Sequence, residues 1–100
     1  MIKEPRIRSL LTQAERNADN GKNAAAESIY RQIIVEAPDT EEAWLGLAEV
    51  VAGPDDKRDA YERVLTLSPD NPVAVAGLAH LDGRPVPAEA QAALDAIAAA

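Results

Sequence analysis

The segment Tyr30–Asp39, YRQIIVEAPD, recurs further along the chain as Tyr61–Asp70, YERVLTLSPD. The tyrosine, the aliphatic pair and the Pro-Asp ending occupy the same places in both copies, and we call the displacement from Tyr30 to Tyr61 one period. Leu10, Trp44 and Val75 also correspond at similar intervals. A period of roughly 30 to 35 residues accommodates two helices, and it is typical of a helical solenoid, whose stacked helix pairs share a core. The sequence therefore predicts an all-α fold of repeated helix pairs.

Prolines and glycines divide the chain into six windows of helical length. Apolar residues recur at helical spacing within these windows, and the short links between them favour antiparallel neighbours. The predicted helices lie at about 7–18, 23–37, 41–52, 55–67, 73–81 and 88–99. Alanine is abundant and phenylalanine absent, which also favours closely packed helices.

Three polar residues stand where helix caps are expected. Asn23, Thr40 and Asn71 each precede a helical window, and their side chains are suited to accept hydrogen bonds from the first free backbone N–H groups.

The interval from Leu10 to Trp44 is slightly longer than the interval from Trp44 to Val75. The two agree if the turn inside the second helix pair is shorter than the turn inside the first. The abrupt Gly53-Pro54 link suggests such a turn.

Composition and charge exclude several classes of function. One hundred residues are enough for one domain with one core. Ten basic residues against seventeen acidic ones give a formal charge of −7, which disfavours nucleic acid and anionic membranes as partners. The chain has no stretch of about 18 apolar residues that would cross a membrane and no apolar leader, so we expect a cytoplasmic protein.

The sequence offers little for catalysis or metal binding. It has no cysteine, and the single histidine, His80, lies two residues from Asp82, a spacing that points the two side chains apart on a helix. Asp55, Asp56 and Asp59 lack the spacing and the glycine of a calcium-binding loop, and we interpret them as acids at a helix start. We therefore predict no catalytic residue, no metal ligand and no cofactor.

The repeat resembles the tetratricopeptide repeat family, whose motif places a large residue, a leucine and a small residue in the first helix, then an alanine, an aromatic residue and a proline. Residues 41–71 match this motif at Trp44, Leu47, Ala48, Tyr61 and Pro69. Residues 7–40 match at Leu10, Ala14, Gly21, Ala26, Tyr30 and Pro38, and residues 72–100 form a degenerate third repeat. At one departure from the motif, Lys57 aligns with the small Ala26. The resemblance implies a single domain, a right-handed solenoid of about six antiparallel helices.

In that family the first helix of each pair lines a concave groove that receives a peptide. Carried onto this sequence, the groove positions are Arg8, Leu11, Thr12 and Glu15, then Glu42, Leu45, Gly46 and Glu49, then Val73, Ala76, Gly77 and His80. Apolar and acidic residues dominate this set. It therefore favours a protein or peptide partner with aliphatic anchors and nearby lysine or arginine, and disfavours the clamping of a peptide carboxylate.

Two functions remain open at this stage, and an enzyme is only a minor alternative because the sequence lacks a convincing acid, base, nucleophile or metal site. The first is a non-enzymatic module that binds a protein or peptide segment in the groove. The second is a self-assembly or scaffold element that packs through its alanine-rich carboxyl-terminal helix, because that end lacks the polar cap that solenoids usually carry. The small residues of this face are Ala92, Ala93, Ala96, Ala98, Ala99 and Ala100.

Overall fold

The computed structural model describes residues 4–100. Within them the chain forms six α-helices and no strand, which confirms the all-α prediction. The helices are α1 (Pro5–Asp19), α2 (Asn23–Glu36), α3 (Glu41–Val50), α4 (Pro54–Leu67), α5 (Pro72–Leu81) and α6 (Ala88–Ala99). Each helix packs against the next along the chain, and α1 also contacts α3. The helices therefore stack in consecutive pairs.

The period of the sequence is also the period of the fold. Helices α4 and α5 have the same lengths as α2 and α3, and both of their ends are displaced by one period. The predicted shorter turn is wrong, since the links at 20–22 and 51–53 are equally long. The difference between the two intervals arises because α3 is shorter than α1 and ends early.

Two features end α3 at Val50. Val51 is extended, with ψ 147°, and Pro54 follows soon after and opens α4. The Lys57 ammonium then reaches back from α4 and donates hydrogen bonds to the carbonyl oxygens of Ala48, at 2.8 Å, and Glu49, at 3.4 Å. A cation at the carboxyl terminus of a helix donates hydrogen bonds to free carbonyl groups. It also interacts favourably with the negative end of the helix dipole. This contact explains why a lysine stands where the repeat motif has a small residue.

Only one of the three predicted caps forms. The Asn71 side-chain oxygen accepts hydrogen bonds from the backbone N–H groups of Val73, at 3.0 Å, and Ala74, at 3.1 Å. The Thr40 hydroxyl instead donates to the carbonyl of Ala37, at 2.8 Å, and the Thr40 backbone N–H donates to the same oxygen, at 3.1 Å. Asn23 is the first residue of α2 and not its cap.

The core consists mainly of small and aliphatic side chains. Alanines with no exposed surface lie where helices meet, and they let helix axes approach closely. These residues are Ala14, Ala26, Ala43, Ala48 and Ala74. Ile33 and Val64, one period apart, are the largest side chains that are fully enclosed.

The Asn71 amide also donates to Glu41, at 2.9 Å, and so joins the start of α5 to the start of α3.

Candidate binding groove

A cavity of about 240 Å³ lies between α1 and α3. Helix α3 contributes four residues at spacings of three and four, which places them on one face. Helix α1 contributes three more, and α2 contributes one tyrosine. The lining residues are Glu15, Ala18, Asp19, Tyr30, Glu42, Leu45, Gly46 and Glu49. We call this set the acidic groove, because four of its members are carboxylates and no lysine or arginine among the described residues lines it.

The structure brings together five of the twelve predicted groove residues. These are Glu15, Glu42, Leu45, Gly46 and Glu49. Arg8 and Thr12 lie exposed on α1 outside the lining, where the Thr12 hydroxyl donates to the carbonyl of Arg8 at 3.1 Å. Half-buried Val73 and Gly77 and exposed His80 lie on α5, away from the cavity.

Two predicted groove residues belong to the interior instead. Leu11 is 8 % exposed and Ala76 is 7 % exposed. Leu11 packs in the cluster formed by α1, α2 and α3, so its side chain cannot serve as an anchor point for a bound segment. The aliphatic surface of the acidic groove is supplied by Leu45 and Ala18.

Tyr30 is a groove residue that the sequence pattern did not predict. Its ring crosses over α3 at Gly46, and a Cβ atom built on that glycine would lie 2.2 Å from the tyrosine Cζ and 2.5 Å from its hydroxyl oxygen. The glycine therefore makes room for the phenol tip on the groove face of α3. One period later, a Cβ on Gly77 would lie 2.4 Å from Cζ of Tyr61. The signal was present in the sequence, since tyrosine and glycine recur together one period apart.

Burial and nearby carboxylates raise the pKa of both tyrosines. Burial, together with the negative charges of Glu15, Glu49 and Asp19, raises the pKa of Tyr30 to about 12. Burial and then the charge of Glu49 raise the pKa of Tyr61 as well. Each effect disfavours the phenolate, so Tyr30 is a neutral hydroxyl within a negative environment.

The equivalent positions one period later carry fewer carboxylates. At the positions of Glu42, Leu45 and Glu49, helix α5 carries Val73, Ala76 and His80. The tyrosine–glycine contact repeats there, but two carboxylates are replaced by a valine and a histidine. The acidic groove therefore forms between α1 and α3, and its set of carboxylates does not recur in the next repeat.

No three acidic or histidine side chains among residues 4–100 converge closely enough to hold a metal ion. Nor does any helix in this range combine the length and the apolar character needed to span a membrane.

The carboxyl-terminal helix leaves much of its apolar surface uncovered. Ala90 is buried against the preceding helix, whereas Ile97 is 63 % exposed. Most of the alanine face predicted from the sequence is exposed too, with Ala93 half-buried.

Comparisons with protein-family models, with curated proteins and with solved structures each found no match. The packing of the helices in consecutive pairs is consistent with a helical repeat.

Proposed function

We propose that this chain is a tetratricopeptide-repeat-like, right-handed solenoid that acts as a non-enzymatic binding module. Its partner is a protein or peptide segment that carries basic and aliphatic side chains. The observation that supports this proposal is the acidic groove, in which Glu15, Asp19 and Glu49 surround an aliphatic patch at Leu45. The groove offers negative charge and apolar surface together, and a segment of alternating lysine and leucine matches both.

Charge and apolar surface have different roles in such a complex. Exposed carboxylates attract a cationic segment over about 8 Å at physiological salt, and they set its orientation more than its final affinity. Burial of an aliphatic side chain against Leu45 supplies affinity that does not depend on salt. Binding is therefore expected to weaken as salt is added, without disappearing.

Reversal of one groove charge tests the proposal. A fluorescently labelled peptide of alternating lysine and leucine is titrated with the wild-type protein, and its affinity is read from fluorescence anisotropy. We expect Glu49→Lys to weaken binding by about tenfold, which corresponds to roughly 1.4 kcal/mol. Glu49 is exposed, so thermal stability should be almost unchanged.

Glu62→Lys provides the matched control. Glu62 is an exposed glutamate on α4 and lies outside the acidic groove, yet its replacement changes the net charge by the same amount. This variant should bind the peptide nearly as well as the wild type. Equal weakening by both variants would mean that net charge alone governs the affinity, and the groove proposal would then fail.

A second candidate function is self-association through α6, which the exposure of Ile97 favours. Burial of this side chain against a second copy would remove apolar surface from water. Sedimentation of the wild type and of Ile97→Asp over a range of concentrations tests it. A concentration-dependent dimer that Ile97→Asp abolishes supports the candidate, and a monomeric wild type throughout excludes it.

A further inference from the structure

A nearly buried tyrosine presents its hydroxyl at the wall of the acidic groove. Tyr30 is only 3 % exposed, and its hydroxyl end lies over Gly46 at the cavity wall. No group among residues 4–100 forms a hydrogen bond with this hydroxyl, and the atom is not sealed from the cavity. The hydroxyl is therefore positioned to bond with whatever occupies the groove.

We propose, as a more specific form of the groove function above, that the cavity holds a lysine side chain of the bound segment. Its ammonium lies among the carboxylates of Glu15, Asp19 and Glu49 and donates one hydrogen bond to the Tyr30 hydroxyl oxygen. An ammonium has three donors that point in different directions, and a neutral phenol oxygen can accept one of them.

The walls of the cavity also suit the rest of a lysine side chain. Leu45 and Ala18 form an apolar wall beside the carboxylates. Lysine buries its four-carbon stem against apolar surface while its charged end remains near polar groups. A short cation such as ammonium itself would leave this wall uncovered, so the site favours a cation on an alkyl stem.

Two features favour lysine over arginine. Arginine binds best where its planar guanidinium forms paired hydrogen bonds with one carboxylate or stacks on an open aromatic face. The faces of the Tyr30 ring are closed, since only 3 % of the residue is exposed and its tip rests on the α3 backbone at Gly46. The carboxylates come from two helices, Glu15 and Asp19 from α1 and Glu49 from α3, an arrangement that suits the divergent donors of an ammonium.

Tyr61 supplies an internal control for this proposal. It makes the same contact with Gly77 that Tyr30 makes with Gly46, but it does not line the acidic groove. Phenylalanine at either position keeps the ring that packs on the glycine and removes only the hydroxyl. Tyr30→Phe and Tyr61→Phe should therefore both fold, which circular dichroism and thermal unfolding verify.

The experiment uses three leucine-containing peptides that differ only at one central residue, which is lysine, arginine or norleucine. Each is titrated into the wild type, Tyr30→Phe and Tyr61→Phe, and dissociation constants are measured by fluorescence anisotropy at low salt. We expect the wild type to bind the lysine peptide about tenfold more tightly than the arginine peptide, and the norleucine peptide most weakly. Tyr30→Phe should lose about tenfold in affinity for the lysine peptide and should no longer prefer it to arginine. Tyr61→Phe should behave as the wild type.

Two results would overturn the lysine proposal and leave the groove function standing. One is equal affinity of the wild type for the lysine and arginine peptides. The other is an unchanged preference for lysine in Tyr30→Phe. In both cases the weakening by Glu49→Lys, measured with the same peptides, still supports binding in the groove. Failure of the wild type to bind either cationic peptide would overturn both proposals.

Discussion

Replacement of Ile33 with alanine is expected to lower the free energy of unfolding by about 2–5 kcal/mol. Ile33 has no exposed surface and lies in the cluster where α1, α2 and α3 meet. The substitution removes buried methyl and methylene groups and leaves a cavity that closely packed helices fill only in part. Urea denaturation followed by circular dichroism measures the loss. This is a large part of the stability of a small domain, which is about 5–15 kcal/mol.

Val35→Ala is the control for this prediction. Val35 lies on the same helix, two residues away, and is 84 % exposed. Its replacement should change the free energy of unfolding by no more than about 0.5 kcal/mol. Similar losses for the two variants would mean that α2 does not present Ile33 to the core, and the helix orientation described above would be wrong.

Gly46→Ala is expected to destabilise the protein by about 1–3 kcal/mol, through overpacking. In the interior of an exposed helix the same change stabilises by about 1 kcal/mol, because alanine is the better helix former. At this position the new methyl group would lie 2.2 Å from Cζ of Tyr30, and the enclosed ring has little space to move. The steric cost therefore outweighs the gain in helix propensity. Urea denaturation measures the sign and the size of the change.

A double-mutant cycle separates the two effects. In a Tyr30→Ala background the ring is absent, so Gly46→Ala should stabilise the helix by up to about 1 kcal/mol. Gly77→Ala should cost less than Gly46→Ala, because Tyr61 is only half-buried and can shift. A Gly46→Ala effect of the same sign and size with and without the Tyr30 ring would contradict the proposed contact.

Much of the fold could be predicted from the sequence. The repeated YRQIIVEAPD pattern indicated paired helices, and the apolar spacing with proline and glycine placed all six within a few residues of their observed bounds. The Asn71 cap was predicted because its side chain is followed by a proline suited to the first helical position. These features depend on interactions between residues that are close in sequence, so one segment is enough to predict each of them.

Features that depend on two segments together were not predicted. The last carbonyls of α3 are bound by Lys57, which reaches them from the next helix. The Thr40 hydroxyl had two acceptable partners, the first N–H groups of α3 and the carbonyl of Ala37, and it donates to the carbonyl. A sequence shows that a side chain can form a hydrogen bond, but the choice between partners is made by tertiary geometry.

The same limit applies to the acidic groove. Helical spacing correctly grouped Glu42, Leu45 and Glu49 on one face of α3. It could not show that Leu11, at the edge of the equivalent face of α1, is covered by its neighbours. Nor could it show that the tip of Tyr30 reaches that face, since this depends on the packing of the Tyr30 ring, from α2, on Gly46 of α3.

The repeated stack of helix pairs depends on one contact that is made twice, one period apart. Two-dimensional nuclear Overhauser spectroscopy in solution detects it directly. We predict cross-peaks between the Tyr30 ring protons and the Gly46 α-protons, and an equivalent set between Tyr61 and Gly77. Each set should vanish only when its own tyrosine is replaced by alanine. The presence of one set without the other, or of neither, would contradict a repeated stack of helix pairs.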